Sequence, residues 1–278
     1  MKRLAFLGPY GTFSEDAAKK YNEQNHYELV PMPTIYDVIT SVDNGEIEEG
    51  IVPIENSIEG AVNATLDVLV RSKNIKITEE FDVNIVNNLI VKPGTALAEI
   101  TDLYSFYQPI GQCMNYIRMN LPKTRIHGTN STAEAAAFVS DYNEKNNIVA
   151  AIGTRNAAAI YNLEILAENI NDYPDTVTRF VIIGHREQAQ SGNDKTSIAF
   201  VTHADRPGGL YEILGVFSKR SINLTKIESR PSKESLGQYI FFLDMEGHKS
   251  DVIVGEALSE VQKIVVSLKI LGSYPIKK

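Results

Sequence analysis

The sequence has a single cysteine, Cys113, and it lacks long apolar runs and clusters of basic residues. One cysteine excludes an internal disulfide, so a secreted disulfide scaffold is ruled out and a reducing cytoplasm fits. No segment approaches the ~20 consecutive apolar residues that a membrane-spanning helix needs. The net charge is −8, and an acidic chain without a basic cluster argues against nucleic acid as the main partner, because phosphate binding requires concentrated lysine and arginine.

Motifs for metal or covalent chemistry are also missing. The five histidines show no metal-ligand spacing and no partner cysteine, so we predict no metal and no cofactor. No nucleophile elbow or cysteine–histidine arrangement is present, so covalent catalysis is not suggested. Cys113 lies in an apolar pattern with Met114, Ile117 and Leu121, which indicates a buried, unreactive thiol.

The pattern along the chain divides it into two domains. The 278 residues, 43% of them hydrophobic and 22% charged, allow one large or two ordinary globular domains. We assign residues 1–184 to an α/β domain of two lobes, the second at about 80–170, and residues 196–278 to a smaller module. The polar segment 185–195, which contains glycine and serine, is interpreted as a linker.

In the first domain, short apolar runs alternate with helical patterns. This order predicts a mostly parallel sheet with helices on its faces. A cleft between two such lobes is a common place for a small ligand to bind. The predicted elements are strands at 3–7, 50–54, 125–127, 148–152 and 181–184, one or two strands within 75–91, and helices at 15–21, 61–71, 109–120 and 133–142, with a further helix that begins at Thr34.

The C-terminal pattern predicts a βαββαβ module, which is a ferredoxin-like fold. Its expected elements are strands at 196–202, 224–231, 238–246 and 265–271 and helices at 208–220 and 251–263. The turn from Asp205 to Leu210 is rich in glycine and precedes a helix, so its free N–H groups could bind the carboxylate of an amino acid. The alternative is ordinary turn chemistry.

Polar residues directly follow one apolar strand and open another. Glu55, Asn56 and Ser57 come at the end of the strand at 50–54, where open α/β sheets commonly bind ligands. Thr178 and Arg179 begin the strand that continues into Val181, and an arginine there could bind a carboxylate with two hydrogen bonds. The alternative is a loop with Ser57 capping the next helix, and a surface arginine at a strand edge.

Two further turns are candidates for ligand contact. The glycine-rich turn at 8–14, with Thr12 and Ser14, precedes a helix and could bind an anion. It has neither the lysine of a P-loop nor dinucleotide-binding glycine spacing, and the alternative is a tight turn with Ser14 as the N-cap. Within Thr129–Thr132, Ser131 and Thr132 are N-cap candidates that could also face a cleft.

Five segments of the chain together resemble prephenate dehydratase with a C-terminal ACT domain. They are GPYGTFS at 8–14, VPIENSIEG at 52–60, TRF at 178–180, ESRP at 228–231 and LGSYP at 271–275. The resemblance implies a catalytic domain like a two-lobed periplasmic binding protein. It also implies the decarboxylating dehydration of prephenate to phenylpyruvate in phenylalanine biosynthesis, feedback inhibition by phenylalanine, and a homodimer or homotetramer.

The resemblance also assigns roles to residues of this sequence. It makes Thr178 the catalytic threonine and places four other side chains in the cleft, namely Glu55, Asn56, Ser57 and Arg179. Further substrate contacts are expected at Thr12, Ser14, Thr129, Ser131, Thr132 and Phe180. Phenylalanine is expected at Pro207, Gly208, Gly209, Leu210, Glu228, Ser229, Arg230 and Pro231.

The sequence departs from the family pattern at three places. Gln108 precedes Pro109 where the family often has histidine, Val177 precedes Thr178 where it has asparagine, and Tyr211 ends the turn where it usually has valine. Because the first strand begins at Arg3, we expect no preceding chorismate mutase domain. Two alternatives stay open: a non-catalytic amino-acid sensor, and an enzyme that prefers arogenate, which carries an amino group in place of the keto group.

Overall fold

The chain divides into two units, each assembled from separate segments. The first unit comprises Met1–Val38, Ile51–Gly60 and Asp82–Phe180, and the second comprises Ile39–Gly50, Ala61–Phe81 and Val181–Lys278. The structure, a computed structural model, describes residues 1–144, 146–203, 207–233 and 238–276. Asp205 and Arg206, which start the predicted effector turn, lie outside the described residues.

Strands and helices alternate along most of the chain. The strands are β1 (Arg3–Leu7), β2 (Glu28–Met32), β3 (Glu49–Asn56), β4 (Gly60–Ala61), β5 (Lys76–Asn84), β6 (Asn88–Val91), β7 (Asp102–Ser105), β8 (Arg125–Gly128), β9 (Val149–Gly153), β10 (Glu164–Ala167), β11 (Val177–Gly184), β12 (Asp194–Thr202), β13 (Leu224–Pro231), β14 (Tyr239–Glu246) and β15 (Val265–Pro275). The helices are α1 (Phe13–Asn22), α2 (Ile35–Asp43), α3 (Asn63–Leu69), α4 (Tyr107–Gln112), α5 (Met114–Asn120), α6 (Thr132–Asp141), α7 (Arg155–Ile160), α8 (Gly209–Ser218) and α9 (Val252–Ile264), with a 3-10 turn at Leu97–Glu99.

The first sheet has the strand order β2-β1-β3-β11-β5, with β4 paired to β3. Strands β1 and β2 are parallel. The centres of β1, β3 and β11 are apolar and buried on both faces, which explains why their sequences read as continuous hydrophobic runs. β3 and β11 are neighbours, and the end of β3 meets the beginning of β11, with Ser57 N 2.9 Å from Val177 O.

The second sheet has the order β10-β6-β9-β7-β8 and, with helices α4 to α7, forms the second lobe. Strand β7 is parallel to β8 and β9, but β6 is antiparallel to both β9 and β10, so the predicted mostly parallel arrangement is wrong for this edge. Two segments cross between the lobes and bond to each other, with Ile85 N 2.8 Å from Thr176 O and Ile170 N 2.9 Å from Asn87 O.

The C-terminal module has the predicted βαββαβ order, with the sheet β13-β14-β12-β15. Helices α8 and α9 share an apolar core with this sheet, built from residues such as Phe200, Phe217, Leu243 and Val261. Strand β12 begins at Asp194, before the predicted 196. The added residues pair with β15, Asp194 with Pro275 and Lys195 with Tyr274, and Lys195 Nζ lies 2.5 Å from Glu80 Oε1 of β5. Strand β15 continues to Pro275, beyond the predicted 271.

Several boundary predictions can be compared with the structure. Thr34 and Asp37 cap α2 as expected, with Thr34 Oγ1 2.7 Å from Asp37 Oδ2, and Ser131 caps α6. The predicted helix at 109–120 begins earlier, at Tyr107, and is interrupted at Cys113. Within the described residues, no helix is long and apolar enough to cross a membrane. The strands β2, β4, β7 and β10 and the helix α7 were not predicted.

Candidate active site

Asn56 and Thr178 meet where β3 ends and β11 begins. Asn56 Nδ2 donates a hydrogen bond to Thr178 Oγ1 at 2.9 Å, and both side chains are largely buried. The pair joins residues that are far apart in the sequence, because strand pairing places the two motifs side by side. The two segments that the sequence marked as one site therefore do lie together.

Local hydrogen bonds fix the orientation of the Asn56 amide. Its Oδ1 accepts from the backbone N–H groups of Ile58 and Glu59, at 3.0 and 3.1 Å. This Asx-type turn assigns the oxygen end of the amide, so the NH2 group must face Thr178. Since Thr178 Oγ1 accepts that bond, the hydroxyl hydrogen remains available for donation to a substrate.

Ser57 ties the same loop to β11. Its N–H donates to Val177 O at 2.9 Å, and its Oγ accepts from Val177 N at 3.0 Å. These reciprocal bonds hold the residue before Thr178. The alternative prediction that Ser57 caps the next helix is wrong, because α3 begins at Asn63 and its N-cap residue, Val62, makes no side-chain cap bond.

Arg179 lies on the other face of the sheet from Thr178, because successive side chains in a strand point in opposite directions. Its Nε is 3.2 Å from Asp82 Oδ1 and its Nη1 is 3.4 Å from Glu55 Oε2. Glu55 and Arg179 thus pair with each other and not with Asn56 and Thr178. Phe180 is only 2% exposed and belongs to the buried core, and its predicted substrate contact is untested.

The glycine-rich turn is closed by the protein's own groups. Thr12 is the N-cap of α1, with its Oγ1 3.3 Å from Glu15 N, so the prediction of Ser14 as the cap is wrong. The turn's anion position is taken by Glu15, whose Oε2 lies 2.5 Å from Gly11 N. The neighbouring Asp16 has its pKa raised to about 6 by burial and by the charge of Glu15. Substrate contacts at Thr12 and Ser14 remain predictions.

Contacts join this turn to the second lobe. Thr154 Oγ1 donates to Gly11 O at 2.9 Å, and Asn156 Nδ2 donates to Glu15 Oε2 at 2.7 Å. In the second lobe, Ser131 caps α6 and Thr129 Oγ1 donates to Ser131 O at 2.8 Å. These bonds give Thr129 and Ser131 structural roles. The predicted substrate contacts at Thr129, Ser131 and the buried Thr132 are untested.

The sequence interpretation missed a buried amide pair in the second lobe. Asn87 Nδ2 donates to Gln112 Oε1 at 3.2 Å, and within the described residues Asn87 Oδ1 has no hydrogen-bond partner. Ser105, which lies just before α4 in the sequence, is fully buried, and its Oγ donates a hydrogen bond to Ile152 O at 2.8 Å. Two adjacent asparagines before the apolar run at 89–91 were the available signal. Cys113 follows Gln112 and is fully buried, as predicted, and this burial raises the pKa of its thiol to about 12.

The predicted effector residues divide between two faces of the C-terminal sheet. Ser229 pairs with Phe241, which packs against the core under α8 and α9, so Ser229 lies on the helix face with the turn at Gly208. Gly208 has φ of 83° and precedes α8. Arg230 lies on the opposite face, where its Nε and Nη2 bind Asp67 of α3 at 2.8 and 3.0 Å. Strand alternation therefore separates Arg230 and Glu228 from the turn within one chain, and the predicted phenylalanine contacts at these two residues are untested.

Family comparison agrees with this architecture. A family model described as prephenate dehydratase matches residues 4–188, and one described as ACT domain matches residues 197–262. These matches define a catalytic α/β domain followed by an ACT domain. The chain belongs to the prephenate dehydratase family, and it is a carbon–oxygen lyase.

Individual relatives cover almost the whole chain. A curated prephenate dehydratase from Methanocaldococcus jannaschii is 40% identical over 99% of this chain and 98% of its own length. A crystal structure of prephenate dehydratase from Arthrobacter aurescens in complex with L-Phe is 35% identical, with a TM-score of 0.90 over 99% of this chain and 90% of that one. A structure described as GqqA, a novel type of quorum-quenching acylase, is 26% identical with a TM-score of 0.85, covering 99% of this chain and 98% of that one.

Proposed function

We propose that this enzyme converts prephenate to phenylpyruvate, carbon dioxide and water for phenylalanine biosynthesis, and that phenylalanine inhibits it at the ACT domain. The observation that carries the proposal is the bond from Asn56 to Thr178, which holds one hydroxyl hydrogen free at the meeting point of the two motifs. Family membership and the length of the match support the same reaction.

The reaction needs little acid–base chemistry from the protein. As the ring carboxylate leaves as carbon dioxide, its bonding electrons enter the ring and hydroxide departs from the opposite carbon, where a proton from solvent converts it to water. The product ring is aromatic, so the driving force lies in the substrate. Thr178 stabilises the departing hydroxide with a hydrogen bond, and the bond that it accepts from Asn56 polarises its O–H. One well-placed donor of this kind contributes roughly a hundredfold in rate.

We propose that neutral hydrogen-bond donors, and not a cation, bind the substrate dianion. Arg179 already pairs with Glu55 and Asp82, whereas Gln112 of the second lobe carries an amide NH2 group next to Asn87. Amide and backbone donors bind a carboxylate without stabilising it as strongly as a cation would. A ring carboxylate held in this way loses its charge as carbon dioxide more easily.

For regulation, we assign phenylalanine to the helix face of the ACT domain. Pro207, Gly208, Gly209 and Leu210 at the start of α8 and Ser229 and Pro231 of β13 would contribute to this site. The relative from Arthrobacter aurescens, described in complex with L-Phe, supports a phenylalanine ligand. Strand β13 is an edge of its sheet, and pairing of such edges favours a homodimer or homotetramer.

The test is a direct assay. Purified protein is incubated with prephenate, and phenylpyruvate is measured by its enolate absorbance in alkali, with Thr178→Ala and added phenylalanine as separate arms. We expect product from the wild type, a large loss in Thr178→Ala, and inhibition by phenylalanine. The expected assembly is checked by light scattering.

Other outcomes point to other functions. Product from arogenate but not prephenate would establish the arogenate preference, and phenylalanine binding without turnover of either would favour the amino-acid sensor. Because a fold does not fix a function, and because one similar structure is described as a quorum-quenching acylase, an assay for hydrolytic release of an acyl group is a further arm. Such hydrolysis without phenylpyruvate formation would refute the proposal.

A further inference from the structure

Helix α3 is bound at its centre by two cations of the ACT domain. Arg230 of β13 makes two hydrogen bonds to the Asp67 carboxylate, and Lys233 Nζ lies 2.6 Å from Asp67 Oδ2. The Asp67 carboxylate is four-fifths buried. Its pKa is lowered by these bonds, chiefly the one from Arg230. Paired arginine–carboxylate bonds of this geometry are directional as well as strong.

The C-terminal end of the same helix is bound by Lys269 of β15. Lys269 Nζ donates to Leu69 O at 2.6 Å and to Val70 O at 3.2 Å, and it also bonds to Ser72 O. A cation here satisfies carbonyl groups that the helix end leaves without partners. Three cations, namely Arg230 of β13, Lys233 just after β13 and Lys269 of β15, therefore bind the middle and the end of α3.

Strand geometry places Arg230 and Lys269 on the sheet face away from the proposed effector site. Ala199 of β12 pairs with Phe242 on one side and with Lys269 on the other, and Phe242 pairs with Glu228. Directly paired residues share a face, so Lys269, Glu228 and Arg230 face α3. Ser229, between Glu228 and Arg230, faces α8. One strand thus carries an effector contact and a contact to α3 at adjacent positions.

Chain order connects α3 to the catalytic loop. The loop in which Ile58 and Glu59 bond to Asn56 is followed directly by Gly60–Ala61 of β4, and α3 begins at Asn63. Displacing α3 would pull on the turn that orients the Asn56 amide. Loss of that orientation would release the hydroxyl of Thr178 from its position.

We propose that Asp67, held by Arg230 and Lys233, is the positioning residue that couples phenylalanine binding at Ser229 to the Asn56–Thr178 pair. The coupling rests on the proposed function for its inhibitory effect. Movement of β13 on effector binding is passed to α3 through Arg230, and α3 passes it along the chain to the Asn56 turn. Coupling of this kind requires an element that both sites bias, and α3 is that element.

Asp67→Asn tests the coupling, because asparagine keeps the shape of aspartate and removes the charge that binds the two cations. We expect this variant to keep its basal kcat and to bind phenylalanine in calorimetry. The ratio of its activities without and with saturating phenylalanine should fall at least about fivefold toward one. In amide hydrogen exchange, phenylalanine should change protection of residues 56–60 in the wild type and leave it unchanged in the variant.

Arg220→Gln is the matched control, because Arg220, just after α8, bonds Glu260 of α9 at 2.6 Å and no bond to α3 is seen within the described residues. It should lower stability while retaining full inhibition. If Asp67→Asn folds poorly, Lys233→Gln, which leaves the Arg230 pair intact, should show a smaller loss of inhibition in the same direction.

Three results would overturn the coupling. They are full phenylalanine inhibition in Asp67→Asn, loss of phenylalanine binding in that variant, or an equal fall in basal kcat and in inhibition. The proposed reaction fails separately. A wild type that makes no phenylpyruvate but shows phenylalanine-dependent exchange at 56–60 would refute the reaction and retain the coupling.

Discussion

Asn56 donates to Thr178 and not the reverse, because the Asn56 oxygen is already bonded to the N–H groups of Ile58 and Glu59. The direction of this one bond decides where the Thr178 hydrogen can point. A threonine hydroxyl is far too weak an acid to transfer a proton by itself, so its contribution is a positioned hydrogen bond. The arrangement makes distinct predictions for each partner.

Replacing Thr178 should separate the hydroxyl from the methyl group. Thr178→Ser keeps the donor and should retain most of kcat, whereas Thr178→Ala and Thr178→Val should each lose about a hundredfold. Steady-state assays with prephenate give these values, and thermal melting checks that each variant is folded. Equal losses in serine and alanine variants would contradict a hydroxyl role.

Replacing Asn56 by aspartate should be worse than replacing it by alanine. The aspartate keeps the bonds to Ile58 and Glu59 but presents an acceptor to Thr178, which must then donate its hydrogen to the carboxylate. The hydroxyl is lost to the substrate, and a negative charge is added beside a dianion. We expect a loss of about a hundredfold or more in Asn56→Asp and about tenfold in Asn56→Ala. An aspartate variant more active than the alanine variant would refute the assigned bond direction.

The motifs predicted the family and the hydrophobic pattern predicted most helices and strands, but the sequence did not predict which side chains meet across the sheet. The βαββαβ order could be predicted because its strands and helices have clear hydrophobic periodicity. Ser131 could be predicted as an N-cap from its position before a helical pattern. The division of TRF, with Thr178 on one face and Arg179 on the other, follows from strand register, which depends on the pairing of β11 with β3 and β5. Likewise, the motif at 8–14 did not show that the Glu15 carboxylate accepts the hydrogen bond from Gly11 N and so occupies the position where an external anion would bind.

Asp16 should make the protein less stable as pH rises. Its folded pKa of about 6 lies above the ordinary value of 3.8, so the folded state binds the Asp16 proton more tightly than the unfolded state does. The free energy of unfolding therefore falls as pH rises from about 3.8 to about 6, and the full loss is present above pH 6. Asp16→Asn should therefore raise stability by about 1–2 kcal/mol at pH 7.5, a figure reduced for partial exposure, and by little at pH 4. Thermal melts at both pH values test this, with the exposed Asp141→Asn as control, and an equal shift at both would contradict it.

Asp102 should have the opposite pH dependence. Arg125 binds it with two 2.8 Å bonds and His127 with one of 2.7 Å, and these contacts lower its pKa to about 2, with the bond from Arg125 the largest favourable cause. Its contribution is complete above 3.8 and is lost as pH falls toward 2. Asp102→Asn should have a lower melting temperature than the wild type at pH 6. The corresponding difference in the free energy of unfolding should shrink by about 2 kcal/mol by pH 2.5. A constant difference would show that Asp102 acts through packing alone.

Gly272 of β15 should not tolerate even a methyl group. A Cβ there would lie 2.2 Å from Ile77 O and 3.0 Å from Ile77 C of β5, and backbone atoms cannot give way as a flexible side chain would. Gly272→Ala should therefore destabilise the protein by about 3 kcal/mol. Gly215→Ala is the matched control, since Gly215 lies within α8 with nothing within 4 Å of its Cβ position, and it should stabilise the helix by about 0.5–1 kcal/mol. Similar melting temperatures for the two variants would mean that β15 and β5 are not held as closely as the structure places them.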